Sequence, residues 1–212
     1  MTADGPSSTI RILVADDQEL VRAGLSLLLD MEPDLQVVVQ LADGADVAEA
    51  VAENRIDVAI LDIEMPYDGI RATTDVTALN RSGSAACGVL IVTTFGRTGY
   101  LQRAMSAGAS GFMVKDASAE TLAQAVRTIH AGGRAVDPTL AAEALAAGPS
   151  PLTVRETEVL AAAGDGASVR TIASRLHLAP GTVRNHLSSA IAKTGASNRM
   201  EANRTAQARG WL

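Results

Sequence analysis

Aromatic residues are scarce in this sequence, which has two Phe, two Tyr and one Trp in 212 residues. A hydrophobic core must therefore be filled by Ala, Val, Leu and Ile. The sequence also has a single cysteine, Cys87. One cysteine excludes an internal disulfide and favours a reducing, cytoplasmic setting.

Long hydrophobic runs are absent as well, since none approaches the ~18 residues that a membrane span requires. The first eight residues are polar and lack the basic start and the apolar middle of a signal peptide. We therefore expect a short disordered leader and no membrane insertion.

A basic excess is missing from the chain as a whole, whose formal net charge is −6. This average argues weakly against nucleic acid, but it hides an asymmetry. Residues 1–150 carry 10 Lys/Arg against 20 Asp/Glu, whereas residues 151–212 carry 8 against 4. An acidic first part and a basic second part indicate two domains with different partners.

Short apolar runs and segments of helical periodicity alternate along the first part of the chain. Strands are predicted at 10–15, 35–39, 57–61, 89–92 and 110–114, and helices at 19–29, 46–53, 69–79, 100–106 and 120–131. This alternation predicts an α/β fold with a doubly wound five-stranded parallel sheet, flavodoxin-like in its strand order.

Polar residues stand at the carboxyl ends of these strands: Asp16, Asp17, Asp62, Thr93 and Lys115. Each of them alone could be a solvated loop residue, but in this fold they converge on one edge of the sheet. Three crowded carboxylates need a hard divalent cation, and oxygen ligands suit Mg²⁺. The lysine and the threonine can contact phosphoryl oxygens, and the metal makes Asp62 a competent nucleophile toward phosphorus.

This set of residues, with Met65-Pro66 after Asp62 and Gly108–Gly111 before Lys115, resembles the receiver domain of two-component response regulators over roughly residues 10–132. The resemblance implies that Asp62 is the phosphoacceptor for a sensor histidine kinase. It also implies roles for the residues around Asp62. Asp17, Asp62 and the backbone carbonyl of Glu64 would bind Mg²⁺, and Asp16 would act on the metal through water. Thr93 and Lys115 would contact the phosphoryl group, and Thr93 and the aromatic Phe112 would be the switch residues.

One departure from the receiver pattern is local. The loop Met65-Pro66-Tyr67-Asp68-Gly69 is one residue shorter than the usual loop after the phosphoacceptor. The departure concerns the geometry of the loop and leaves the chemistry of the strand-end residues as it is.

Residues 133–151, which end in Gly148-Pro149-Ser150-Pro151, are expected to link a receiver domain at 9–132 to a second domain at 152–212. In the second domain Thr153 and Glu156 form a capping-box pattern. Ser168 caps a two-turn helix, residues 177–181 form a tight connection, and a longer helix runs from Thr182 to about Lys193. A short helix, a tight turn and a longer helix predict a helix-turn-helix.

The start of the longer helix, Thr182–His186, resembles the LuxR-type helix-turn-helix, and with the receiver it makes the chain similar to the NarL/FixJ family. Narrower likenesses at 93–101, 181–185 and 210–212 point to its DesR-like branch, which responds to membrane-embedded histidine kinases. Val183, Leu187 and Ile191 are expected to face the core. The candidate DNA contacts are Thr182, Arg184, Asn185, His186 and Ser188. For His186, packing at the helix edge is as good an explanation as phosphate contact.

We therefore expect a cytoplasmic transcriptional regulator, not an enzyme, that binds promoter DNA with inverted half-sites. Phosphorylation is expected to drive homodimerisation through the first and last receiver helices, because residues 25–29 are too apolar for one inward face and Ala123, Arg127 and His130 are expected to line a flat outer face. Two alternatives remain open: an aspartyl-phosphate phosphatase of the haloacid dehalogenase type, and a DNA-binding regulator whose receiver is only a scaffold.

Overall fold

The structure, a computed structural model, describes residues 9–94, 96, 98–147 and 150–212. The predicted leader, Phe95 and Arg97 of the DesR-like segment, and Gly148 and Pro149 of the predicted linker lie outside the described residues. The described residues divide into two compact units, one formed by 9–94, 96 and 103–139 and the other by 98–102, 140–147 and 150–212.

The part of the chain that the structure describes forms six strands and ten helices. The strands are β1 (Ile10–Ala15), β2 (Leu35–Leu41), β3 (Val58–Leu61), β4 (Gly88–Thr93), β5 (Gly111–Val114) and β6 (Ala135–Val136). The first six helices are α1 (Glu19–Asp30), α2 (Val47–Asn54), α3 (Gly69–Arg81), α4 (Thr98–Ala107), α5 (Ala119–His130) and α6 (Pro138–Ala147). The last four are α7 (Val154–Ala161), α8 (Val169–Arg175), α9 (Pro180–Thr194) and α10 (Arg199–Ala208).

All strands run parallel in the order β2-β1-β3-β4-β5-β6. Every residue of β3 is buried, as its unbroken apolar sequence predicts for a central strand. The doubly wound parallel sheet is thus confirmed, with a sixth strand that sequence analysis missed. Two residues, Ala135 and Val136, are too few to carry a periodic pattern, and they pair with β5 only after the chain has turned back from α5.

Helix α5 packs its predicted inward residues, Leu122, Val126 and Ile129, against the sheet, which confirms that part of the prediction. The prediction that Ala123 lies on the outer face is wrong, because its side chain is only 1% exposed and belongs to the same core cluster. The buried arc of α5 is therefore wider than three positions indicated, as is usual for a helix packed against both a sheet and a neighbouring helix. Arg127 lies at the edge of this arc.

Helix α1 turns several large apolar side chains outward. Leu20 is 86% exposed, Leu27 67% and Met31, the residue that caps the helix at its C-terminus, 73%, while Ser26 and Leu29 are buried. The exposed positions are spaced seven and four residues apart, which places them along one side of the helix. The apolar residues of α1 therefore lie on its outer surface as well as on its inner one.

The described residues include no helix that combines the length and the hydropathy needed to cross a membrane.

Helices α7 to α10 have a core of their own, which includes Leu160, Ile172, Val183, Leu187 and Trp211. The capping box is confirmed: the Glu156 backbone N–H donates to Thr153 Oγ1, and the Thr153 N–H donates to a Glu156 carboxylate oxygen. Ser168 caps α8 as predicted. Helix α9 begins at Pro180, two residues before the predicted start, because proline is well suited to the first helical position, where its missing N–H costs nothing.

Candidate metal centre and nucleic-acid interface

Main-chain hydrogen bonds bring the strand-end residues together at the carboxyl edge of the sheet. The Asp62 N–H donates to the Ala15 carbonyl at 2.9 Å, so the third strand ends beside the acids that follow β1. The Lys115 N–H donates to the Thr93 carbonyl at 2.8 Å, which joins the ends of β4 and β5 in the same way. The predicted convergence of the polar strand ends therefore occurs.

The Lys115 ammonium lies between two buried carboxylates. Its Nζ is 2.7 Å from Asp16 Oδ2 and 3.0 Å from Asp62 Oδ2, and both acids are nearly inaccessible to solvent. Two of its three N–H donors can be directed at these carboxylates, and no further acceptor faces the buried ammonium within the described residues. The lysine therefore neutralises the acids by charge and leaves one N–H donor for another acceptor.

The remaining carboxylate oxygens are fixed by backbone donors. Asp16 Oδ1 accepts from the Gln18 N–H at 2.9 Å, and Asp62 Oδ1 accepts from the Ile63 N–H at 2.8 Å. Each acid thus has one oxygen held by the main chain and one facing the lysine. This arrangement fixes the orientation of both carboxylates before any ligand binds.

Burial and ion pairing act in opposite directions on the pKa values of this group. Burial is the largest effect on Asp62 and raises its pKa, with a further contribution from the neighbouring Asp16, despite the opposing influence of Lys115. Burial by itself would lower the pKa of Lys115, but its two carboxylate neighbours outweigh burial and raise it. The charge of one ammonium is therefore not enough to neutralise two buried carboxylates.

A divalent cation would supply the positive charge that this group of residues lacks. Asp16, Asp17 and Asp62 each offer a carboxylate oxygen, and these oxygens lie within 4.8 Å of one another. Three carboxylates and one ammonium leave a formal charge of −2, and an all-oxygen donor set is the one that Mg²⁺ prefers. Asp17 is exposed, so the group opens to solvent on its side.

Sequence analysis missed Arg22, which contacts this site from α1. Its Nη1 donates to the main-chain carbonyl of Asp16 at 2.6 Å. The spacing of six residues from Asp16 gave no helical or strand signal, because the two residues lie on opposite sides of a turn. Thr93 and the predicted switching residue Phe112 are both fully buried.

The second candidate interface is the helix-turn-helix formed by α8 and α9. The chain turns between them at His177, whose φ of 53° is in the left-handed region. On α9, Val183 and Leu187 are buried and Ile191 packs against the same core, as predicted. The predicted DNA contacts Arg184, Asn185 and Ser188 are exposed, whereas Thr182 and His186 are half-buried.

Glu156 holds α9 in place. Sequence analysis predicted the part of Glu156 in the capping box of α7 but not its contacts with α9. Its carboxylate accepts from Ser189 Oγ at 2.5 Å and from Lys193 Nζ at 2.7 Å, two residues one turn apart on α9. Burial would raise the pKa of Glu156, but these donors and Thr153 lower it to about 2. The ionised carboxylate therefore joins α7 to α9, with a donor from the cap of α7 and two donors from α9.

Comparison with known proteins assigns both parts of the chain. Residues 12–127 match the response regulator receiver domain, and residues 150–206 match the bacterial regulatory proteins of the luxR family. The chain is 39% identical to the transcriptional regulatory protein DesR of Bacillus subtilis over 96% of this chain and 99% of that protein. The chain belongs to the NarL/FixJ family of response regulators.

Further similarities support this family assignment. The chain is 38% identical to the response regulator RamR of Streptomyces coelicolor, over 95% of this chain and 98% of that protein. The crystal structure of the response regulator ChrA of a heme-sensing two-component system aligns over 97% of this chain and all of that chain, with 34% identity and a TM-score of 0.56. The regulator is thus a DNA-binding transcriptional response regulator of a two-component system, which the matches favour over the phosphatase alternative.

Glu156→Gln should destabilise α7 to α10 in a pH-dependent manner. Its folded pKa of about 2 lies below the ordinary 4.5, so the stabilisation is complete above about pH 4.5 and is lost as the pH falls toward 2. We expect the variant to lose about 2–3 kcal/mol of unfolding free energy at pH 7 and little at pH 2.5. Fluorescence of Trp211, the single tryptophan, reports this unfolding in the full-length protein.

The matched control is Glu158→Gln, which removes a more exposed carboxylate of the same helix, whose ion pair within the described residues is with Arg155. It should cost less than about 1 kcal/mol at either pH. An equal loss for Glu156→Gln at pH 7 and pH 2.5 would show that the carboxylate charge has no role.

Proposed function

We propose that this transcriptional regulator is activated by phosphorylation of Asp62, with Mg²⁺ as cofactor and a sensor histidine kinase as phosphodonor. The observation that carries the proposal is the Lys115 ammonium, buried between Asp16 and Asp62 with one N–H donor more than its two carboxylate neighbours require. In a purely structural ion pair, a buried donor without an acceptor would only cost free energy. A site that receives a phosphoryl group needs such a donor for an incoming oxygen.

In the proposed reaction a carboxylate oxygen of Asp62 attacks the phosphorus of the donor. An acyl phosphate forms as the bond from phosphorus to the donor nitrogen breaks. Lys115 would turn from its two carboxylates to a phosphoryl oxygen, and the Thr93 hydroxyl would donate to another. The backbone donor at Ile63 fixes Asp62 so that its other oxygen points into the site.

Asp17, Asp62 and the Glu64 backbone carbonyl would hold Mg²⁺ directly, with Asp16 acting through water. The ion would supply positive charge that offsets the phosphoryl oxygens and the crowded acids. Phe112, buried in β5 opposite Ile91 of β4, would respond to the position of Thr93. Such a regulator would act in the cytoplasm, where its promoter lies.

The first test is phosphorylation by acetyl phosphate followed by intact-mass measurement. We expect one added phosphoryl group on the wild type with Mg²⁺ and none after chelation. Asp62→Asn should abolish the mass shift, because an amide oxygen is a poor nucleophile. Asp116→Asn is the control, since it removes an exposed carboxylate next to Lys115 that is outside the acidic group. Labelling of Asp62→Asn at the wild-type rate would refute the assignment.

For promoter recognition, we propose that α9 enters the major groove with Arg184, Asn185 and Ser188 toward the bases. Asparagine can read adenine with two hydrogen bonds, and arginine can read guanine or hold a phosphate. Thr182 and His186, which are half-buried, would approach the backbone. Ser188 is uncharged, so Arg184 carries the positive charge among these three exposed residues.

Arg184→Ala should weaken specific binding by ~1–3 kcal/mol and relax the preference at one base position. Fluorescence anisotropy with specific and scrambled duplexes at several salt concentrations measures both effects. Arg204→Ala, an exposed arginine of α10, is the matched loss of charge and should leave the preference unchanged. A uniform loss across sequences with a shallower salt dependence would make Arg184 a phosphate contact instead.

For assembly, we propose that phosphorylation favours a two-fold homodimer through the first and last receiver helices. The apolar part of this surface would be the outer face of α1, defined by Leu20, Leu27 and Met31, because the buried Ala123 cannot take part. On α5, Arg127 is already paired with Glu32 and Asp34 and would form a polar border. A two-fold dimer would present two α9 helices to inverted half-sites.

Leu27→Glu should therefore weaken the activated dimer at least tenfold, since it replaces an apolar contact in both copies with a charge. Analytical ultracentrifugation of the Mg²⁺-beryllofluoride form measures the dissociation constant. Leu145→Glu is the control, because Leu145 of α6 is 85% exposed and outside the proposed surface. If Leu27→Glu dimerised with the wild-type dissociation constant, this face of α1 would be excluded as the dimer interface.

A further inference from the structure

The loop after Asp62, residues 63–68, closes tightly on itself. The Ile63 carbonyl accepts from the Met65 N–H at 3.0 Å and from the Gly69 N–H at 3.4 Å. A Cβ on Gly69 would lie 2.0 Å from the Asp62 carbonyl oxygen, so only glycine fits where the loop returns to the strand. Asp68 then caps α3 by accepting from the Ile70 and Arg71 N–H groups.

Tyr67 ties the outer end of this short loop to α3. Its hydroxyl donates to Asp75 Oδ2 at 2.7 Å, across two turns of the helix. The Arg71 guanidinium stacks over its ring at 4.5 Å from the centroid, a distance at which cation–π attraction is effective. Both polar partners are on the same helix, so the ring and the hydroxyl of Tyr67 are held to one element at two points.

The main chain of Tyr67 holds a second loop. Its carbonyl accepts from the Gly44 N–H at 3.2 Å, in the connection between β2 and α2. A Cβ on Gly44 would lie 2.4 Å from that carbonyl oxygen, so the two main chains approach as closely as glycine allows. The orientation of Tyr67 therefore affects two loops at the carboxyl edge of the sheet.

We propose that Tyr67 is a positioning residue for the metal site: its anchorage to Asp75 and Arg71 holds the short loop in the conformation that presents the Glu64 carbonyl and Asp62 to the cation. This inference rests on the proposed function of the acidic group. Only residues 63–68 separate Asp62 from α3, so little main chain lies between the anchored Tyr67 and the Glu64 carbonyl. The side-chain anchor on α3 therefore constrains the main chain close to the acidic group.

The alternative is that Tyr67 is a half-exposed surface residue whose contacts stabilise only the start of α3. The two explanations differ in what they predict for metal binding. A contact that stabilises only the helix changes the melting temperature and leaves the Mg²⁺ affinity of the folded protein unchanged. A positioning contact changes the affinity, because an incorrectly placed ligand costs binding free energy even when the fold is intact.

The test is isothermal titration calorimetry of Mg²⁺ into the full-length protein without any phosphodonor, together with thermal denaturation in chelator. Tyr67→Phe keeps the ring over Arg71 and loses only the hydroxyl, and we expect its Mg²⁺ dissociation constant to rise about two- to fivefold. Asp75→Ala should give the same increase, and the double variant should give no further increase. Asp75→Asn should retain near wild-type affinity, because its amide oxygen still accepts from the tyrosine.

The control is Thr74→Val, which removes a hydroxyl of α3 that bonds only within the helix, to the Ile70 carbonyl. Unchanged Mg²⁺ affinity in Tyr67→Phe and Asp75→Ala, with tight binding in the wild type, would overturn the role of Tyr67 and leave the proposed metal site standing. A wild type that binds no Mg²⁺ would overturn the metal site itself, and the role of Tyr67 with it.

Discussion

The receiver part of this protein depends on two buried carboxylates that share one ammonium. Asp16 and Asp62 are almost inaccessible, and taking such charges out of water costs several kcal/mol unless a partner compensates. Lys115 lies near both, at 2.7 and 3.0 Å, but one positive charge cannot satisfy two negative ones. The other contacts at the carboxyl edge of the sheet hold these two acids in place. Backbone donors fix one oxygen of each acid, Arg22 holds the turn that carries Asp16, and the open side faces solvent next to Asp17.

A comparison with Glu156 shows why this arrangement indicates chemistry and not only stability. Both Glu156 and Asp62 are buried carboxylates paired with a lysine from a distant element. Glu156 also accepts from Ser189 and from the main chain of Thr153, and its pKa falls to about 2. Asp62 shares its lysine with another acid, and its pKa rises. A carboxylate with all its donors is a structural anchor, whereas one short of positive charge favours a cation.

The strand-end residues could be predicted from the sequence because a parallel sheet brings all its carboxyl ends to one edge, whatever the details of packing. The position of Ala123 could not, because the width of a buried helical face depends on neighbours that are distant in sequence. Strand β6 was missed for a similar reason, since two residues acquire strand geometry only by pairing with β5. Arg22 and Glu156 are visible in the sequence as charges, but their partners are fixed by turns and by helix crossing.

The loop with Tyr67 combines these two kinds of information. Its length and its tyrosine are visible in the sequence, but neither indicates which residues hold the loop. The loop is held by two side chains of α3: the Arg71 guanidinium lies over the Tyr67 ring, and Asp75 accepts from the Tyr67 hydroxyl. A shorter loop has fewer conformations to lose on folding, so an exposed hydrogen bond of modest strength is enough to select one of them. In the proposed role of Tyr67, the short main chain and the side-chain anchor act together to hold Asp62 and its neighbours in place.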